Sequence, residues 1–250
     1  MAAARKLLRS HEWAEVREGL LLLQDLNDPQ LWALMMEGVS FAGGNTLYLE
    51  AGEIKKRVKE VNRYTAALFA ARETGALAGR ESIQFRRDIV DLRPLEGLTQ
   101  LTAASLNCAP TLRDLSPIAS LRGLTKLTLR CSPPTDLSVL AGLPQLTELN
   151  LYTSHLKDLR PLQGMSNLTT LLVAGERRNP VLLLRDLSPL AGLTQLSSIT
   201  LNYCHSVHDL SPLKTLPQLE KLQLGWCDGV SRAEEQSLKA ALPGCAITHW

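Results

Sequence analysis

Apolar residues recur along this chain at a fixed stagger. In one unit they fall at Leu137, Leu140, Leu143, Leu146, Leu149 and Leu151, and in another at Leu187, Leu190, Leu193, Leu196, Ile199 and Leu201. Asp-Leu opens a unit at Asp91, Asp114, Asp136, Asp158, Asp186 and Asp209, so successive starts lie 23, 22, 22, 28 and 23 residues apart. Six copies in phase exclude chance. A period of this length denotes stacked coils, each of which buries its apolar face only against its neighbours.

The spacing dictates local structure. Leu-x-x-Leu-x-Leu ends in a period of two, so Leu149 and Leu151 face one side of a short strand while Glu148, Asn150 and Tyr152 face the other. Each unit then begins with a turn. Ser188-Pro189-Leu190 places serine as a cap before a proline at the first helical position, with Asp186 just upstream where a carboxylate suits a helix N-terminus. This predicts a short helical or 3-10 turn opposite each strand. Eight parallel strands are expected, centred near residues 84, 105, 128, 150, 172, 200, 223 and 246, bent into an arc by bulkier turns outside. The last comes from reading Leu242-Pro243-Gly244-Cys245-Ala246-Ile247 in the repeat frame, after a capping helix over 232–242 that opens on the capping box Ser231-Arg232-Ala233-Glu234 with Leu238, Ala241 and Leu242 as its apolar stripe. The fold class is thus α/β: a solenoid over 77–250 with about six full repeats and terminal half-repeats, behind a helical cap region over 1–76.

That cap region has a different pattern. Trp13, Val16, Leu20, Leu23 and Leu26 line one face of a helix over Glu12 to Leu26. Asp28-Pro29 opens a second helix to about Glu37, Gly43-Gly44-Asn45 breaks the chain, Thr46 to Leu49 reads as a short strand, and Glu53 to Arg72 as a long charged helix. Between the fourth and fifth units, Gly175 to Arg185 holds about six extra residues, and insertions in solenoids become edge loops that often bind.

The wording Asp-Leu-Ser-Pro-Leu-Ala-Gly-Leu-Thr-x-Leu resembles the 22-residue leucine-rich repeats of bacterial internalins and their cytoplasmic relatives, over residues 77–250. Leu7-Leu8-Arg9-Ser10, Glu18-Gly19-Leu20, Asp28-Pro29 and Thr74-Gly75 resemble the helical leader of some bacterial repeat proteins that also carry WGR domains, although no WGR domain follows. Two departures matter. Internalins carry a buried asparagine three residues after the strand, where this chain has Ala109, Ser132, Ser154, Glu176, Cys204 and Cys227. Internalins are also exported, and this chain opens without a signal segment. The resemblance therefore implies the fold but not a surface-adhesion role.

Composition narrows the function. A net charge of +2 is too small for a dedicated nucleic-acid binder. The longest apolar run near the start, Leu20 to Leu23, is too short to span a bilayer. Five cysteines without an export signal read as free thiols in the cytoplasm. Cys204, His205, His208 and Cys227 invite a zinc site, but the cysteine position points beneath the turn while His205 points away, so the expectation is buried thiols and no metal. No phosphate loop, zincin motif, nucleophile elbow or activated thiolate appears, so neither a catalytic residue nor a cofactor is expected.

The outward strand positions remain. They run Gln84, Ser105, Thr128, Asn150, Leu172, Thr200 and Gln223, followed by Arg86, Asn107, Arg130, Tyr152, Ala174, Asn202 and Gly225. This strip is polar and uncharged for most of its length, with an apolar patch at Leu172 and Ala174, and Tyr152, His155, Tyr203, His205 and Trp226 follow along its rim. The expected partner-binding residues are Asn150, Tyr152, His155, Leu172, Asn202, Tyr203, His205, Gln223 and Trp226, joined from the insertion by Arg177, Arg178, Val181 and Leu183. The reading is a non-enzymatic scaffold, sensor or regulatory subunit that binds a protein on its concave face. Its rivals are a nucleic-acid sensor using Arg86, Arg130, Lys126 and Lys221, and an enzyme with an unrecognised site there.

Overall fold

The computed structural model describes residues 13–25, 39–42, 46–49, 63–131, 136–153, 156–175 and 182–250. Helix α1 (Trp13–Asp25) is followed by strands β1 (Val39–Ala42) and β2 (Thr46–Leu49) and helix α2 (Arg63–Glu73). Then come β3 (Ser82–Ile89), β4 (Ala103–Cys108), β5 (Lys126–Cys131), β6 (Glu148–Tyr152), β7 (Thr170–Ala174), β8 (Ser198–Asn202), β9 (Lys221–Gly225), helix α3 (Arg232–Ala241) and β10 (Ala246–His249). The ten strands form one sheet in sequence order. β1 and β2 pair antiparallel, and every later neighbour pairs parallel. The eight predicted parallel strands are present, and a hairpin extends them, of which the sequence pattern showed only the second strand.

Register converts the repeat into columns. Leu127, Leu149, Leu171, Ile199 and Leu222 stand level on successive strands, as do Leu129, Leu151, Val173, Leu201 and Leu224, and all are buried. One apolar side chain stacking on its own kind builds a continuous interior along the coils. A hydroxyl ladder runs beside them. Thr102, Thr125, Thr147, Thr169 and Ser197 each donate to the backbone carbonyl of the equivalent residue one coil earlier, at 3.0–3.2 Å. These bonds tie coil to coil just ahead of each strand.

The turns are 3-10, as predicted, but serine is not their cap. In six coils the aspartate carboxylate accepts the backbone N–H two residues on: Arg93 to Asp91, Ser116 to Asp114, Ser138 to Asp136, Arg160 to Asp158, Ser188 to Asp186 and Ser211 to Asp209, at 2.7–2.9 Å. Where serine is present it lies inside the turn, first at Ser116, Ser188 and Ser211 and second at Ser138, and its hydroxyl returns to the same carboxylate at Ser138 and Ser188. The side chain with two acceptor oxygens outcompetes the hydroxyl for the orphan N–H.

At the C-terminus Ser231 caps α3, accepting from the Glu234 N–H at 3.2 Å. The Glu234 carboxylate does not complete the box; it accepts from the Leu210 N–H in the coil below, at 3.2 Å. Leu238 is buried, Leu242 packs at the edge, and Ala241, expected in the stripe, is exposed. The final strand is shifted from its expected frame: Ile247 stands level with Leu222 and His249 with Leu224. The strand begins one residue after Cys245, whose N–H is held by the Leu242 carbonyl.

At the other end Val16 and Leu20 of α1 join Ala66, Ala67, Ala70 and Ala71 of α2 in the same core that runs along the coils. Small alanines let the helices approach closely. Thr65 accepts from the Val90 N–H at 3.0 Å, and Arg72 donates to the Glu96 carbonyl at 2.8 Å, fixing α2 on the first coil. The second predicted helix, over 29–37, and residues 53–62 of the charged helix lie outside the described residues.

Candidate binding surface on the strand face and its rim

Parallel pairing sets Gln84, Ser105, Thr128, Asn150, Leu172, Thr200, Gln223 and Thr248 level across eight strands. The predicted first row is therefore real. Its polar members brace one another: Asn150 donates to Thr128 at 3.3 Å and to Glu148 at 3.1 Å, and Thr200 donates to Gln223 at 3.2 Å. The second row runs Asn107, Arg130, Tyr152, Ala174, Asn202 and Gly225, but Asp88 heads it in place of Arg86, because the β3–β4 register shifts between Gln84 and Asp88. The apolar patch is smaller than expected. Leu172 is half-buried, whereas Ala174 is buried, its methyl too short to clear its neighbours.

The aromatic residues divide into two groups. Tyr152 lies in the second row, under the Arg130 guanidinium, whose carbon is 3.7 Å from the ring centroid. Tyr203 and Trp226 stand immediately after β8 and β9, and their rings stack at 4.8 Å with an interplanar angle of 3°. Tyr152 is thus not equivalent to Tyr203 and Trp226, and the buried Thr153 follows it at their position. Both stacked residues hold left-handed backbone, φ 62° at Tyr203 and 51° at Trp226. The Tyr203 N–H donates to the Gly225 carbonyl and the Trp226 N–H to the Trp250 carbonyl, both at 2.8 Å, so ladder bonds continue past the strands and hold these residues in place.

His205 lies beside this pair, its ring centroid 6.5 Å from that of Tyr203, and its Nδ1 is 3.1 Å from Oδ2 of Asp228. Asn202 and Gln223 face the strip half-buried; Oδ1 of Asn202 is sealed from solvent without a hydrogen bond among the described residues. Gly225 accommodates that oxygen, since a Cβ there would approach it to 2.4 Å. Two residues of this region escaped the sequence reading. Asp228 stands two residues past Trp226, a spacing that signals it. Trp250, exposed to 52%, was hidden by the frame shift of the last coil.

The insertion is only partly in view. His155, Arg177, Arg178 and Val181 lie outside the described residues. Of the apolar run, Leu182 and Leu184 are buried and Leu183 is 47% exposed. The Leu182 N–H donates to the Tyr203 carbonyl at 3.2 Å, so the chain re-enters its coil next to the aromatic pair.

The cysteines depart from expectation. Cys108 and Cys131 stand level on β4 and β5, with Cα atoms 4.8 Å apart, and form a disulfide; they are not free thiols. Level positions on adjacent strands bring them within bonding distance. Cys204, Cys227 and Cys245 are free and buried. The Cys227 thiol donates to the Leu201 carbonyl at 3.2 Å, so cysteine fills the asparagine position and turns inward as predicted. Hydrogen bonding to Cys227 and burial push the Cys204 thiol up, away from the reactive thiolate. Among the described residues no three His, Cys, Asp or Glu side chains converge as metal ligands, and no helix is long and apolar enough to cross a membrane.

Compared by sequence, the chain matches no protein-family model and no curated protein. Its structure is similar to that of internalin C2 from Listeria monocytogenes, with a TM-score of 0.55 at 21% identity over 90% of this chain and 94% of that one. It is also similar to a leucine-rich repeat protein of Leptospira interrogans, with a TM-score of 0.51 at 16% identity over 72% of this chain and 44% of that one. The fold is a leucine-rich repeat solenoid with a helix-bearing N-terminal segment.

Proposed function

We propose that this chain is a non-enzymatic protein-binding module that holds its partner on the strand face and the rim following β6 to β9. The contact set is Asn150, Tyr152, Leu172, Asn202, Tyr203, Gln223 and Trp226, with His205 and Leu183 at the edge. The observation that carries the reading is the Tyr203–Trp226 stack, two large rings on left-handed backbone at the surface. Non-glycine residues in that region cost on the order of 1 kcal/mol or more each, and such strain collects at binding sites. Rings already fixed against each other lose little freedom when a partner covers them. The neutral polar strip beside them is desolvated at modest cost. About four coils supply the roughly 800 Å² per side of a standard interface.

Of the four cations of a nucleic-acid site, Lys126 is paired with Glu148 at 3.1 Å and Arg130 is stacked on Tyr152, so two are engaged within the chain. The test is affinity capture from the host, comparing wild type with Tyr203→Ala/Trp226→Ala and with the convex double variant Lys157→Ala/Lys214→Ala. A specific protein held by wild type and the convex variant but lost from the ring variant is expected, with one of the rings worth about 2 kcal/mol or more. Equal capture by all three overturns the reading.

A further inference from the structure

The chemistry beside the stacked rings narrows what the partner presents. We propose that Trp226 and Asp228 receive an arginine side chain of that partner, its guanidinium lying on the indole and donating to the carboxylate; this rests on the protein-binding reading above. Two observations converge. Trp226 is 48% exposed although Tyr203 covers it in a near-parallel stack, so the pair offers a flat, electron-rich surface that does not need to reorganise. Indole is the strongest aromatic acceptor of a cation. Two residues on, the Asp228 side chain is 81% exposed, with Oδ2 held by His205 and Oδ1 without a hydrogen bond among the described residues. A carboxylate fixed by one oxygen presents the other in a defined direction.

A planar guanidinium satisfies both features together, stacking through its face and donating through its edge; an ammonium, a point charge without a face, satisfies one at a time. The same molecule shows the stacking half of this arrangement internally, with Arg130 over Tyr152 at 3.7 Å. The carboxylate also discriminates. A nucleobase stacks on an indole equally well, but its phosphate is repelled by Asp228, and a proline ring stacks without using the carboxylate at all.

The test titrates the intact chain with acetyl-Gly-Arg-Gly-amide and follows the assigned Trp226 indole N–H by NMR. Parallel titrations use the citrulline, lysine and proline tripeptides and adenosine monophosphate. Citrulline keeps the shape of arginine and removes the charge. The arginine peptide is expected to shift the signal saturably with a Kd in the millimolar range, at least about fivefold tighter than citrulline. Asp228→Asn should weaken the arginine peptide about fivefold and leave citrulline unchanged, with the rest of the amide spectrum in place. Equal binding of arginine and citrulline, tighter binding of lysine, proline or the nucleotide, or no shift up to about 50 mM overturns the inference. Its failure is separable from that of the protein-binding reading. A captured partner lost from Tyr203→Ala/Trp226→Ala but retained by Asp228→Asn leaves the module standing and removes the arginine; a partner retained by both removes the module.

Discussion

An aspartate repeated at the start of six coils does at residue scale what the leucines do for the core: it makes each turn alike. The sequence pattern places the carboxylate beside the N-terminus of each turn, while Ser-Pro has the look of the capped start itself. Only the geometry shows that the carboxylate reaches the N–H two residues ahead. Asp91 is the strongest case, 7% exposed and paired through both oxygens with the Arg93 guanidinium as well as capping the Arg93 N–H. Asp91→Ala should lower the unfolding free energy by about 2 kcal/mol in urea melts, since it removes a cap and strands a half-buried cation. Backbone bonds from Arg160 and Ser138 and the side-chain bond from Ser211 hold the carboxyls of Asp158, Asp136 and Asp209 below the ordinary aspartate value of about 4. Their folded values lie below their unfolded ones, so their contribution is complete above pH about 4 and is lost as pH falls through the folded values. Replacing all three by Asn, which keeps an acceptor oxygen, should flatten the urea midpoint below pH 4; an unchanged acid slope would refute the capping account. The cysteines teach a second lesson at this scale. Repeat spacing brings both Cys108 with Cys131 and Cys204 with Cys227 to neighbouring coils, 23 residues apart in each case, yet only the first pair is bonded, so spacing alone does not distinguish a disulfide from two thiols.

Elements in this molecule are set by how closely one coil approaches the next. A Cβ on Gly123 would meet the Thr99 carbonyl oxygen at 2.4 Å and that of Leu101 at 3.2 Å, both backbone atoms of the preceding coil. Gly192 has nothing within 4 Å of such a Cβ. Gly123→Ala should therefore lower the thermal midpoint by several degrees, on the order of 1–3 kcal/mol of overpacking, while Gly192→Ala should be silent or slightly stabilising. Matching midpoints for the two would show that coil spacing gives way more easily than the contacts imply. Strand positions were legible because a period of two beside a leucine frame admits one register. The hydroxyl ladder was not, since Thr102, Thr125, Thr147 and Thr169 follow the first leucine of each frame as ordinary polar residues until the coils are stacked. The last coil was misframed because Leu242, Cys245 and Ile247 imitate the repeat spacing. Backbone pairing places Ile247 two steps earlier in the frame than that imitation suggests, level with Leu222.

At the scale of the whole molecule, one sheet and one apolar core run from the N-terminal helices to the last coil. We propose the division into a cap region over 1–76 and a solenoid over 77–250 on that basis, with α1 and α2 closing the open end that a bare first coil would expose. The strand face was legible as two rows of outward residues, but its most distinctive feature was not. Tyr203 and Trp226 share a repeat position, which placed them together; their left-handed backbone and parallel stacking have no signature in sequence, and Tyr152 was grouped with them although it belongs to a strand and to Arg130. The central claim is that function resides on this rim. Hydrogen-exchange footprinting of the chain bound to the protein it captures tests it most directly. The account predicts new protection over residues 203–208 and 225–230, which follow β8 and β9, with the 3-10 turns at 137–142 and 188–190 unchanged. Protection confined to those turns or to α1 and α2, with the rim exchanging as in the free chain, would contradict it.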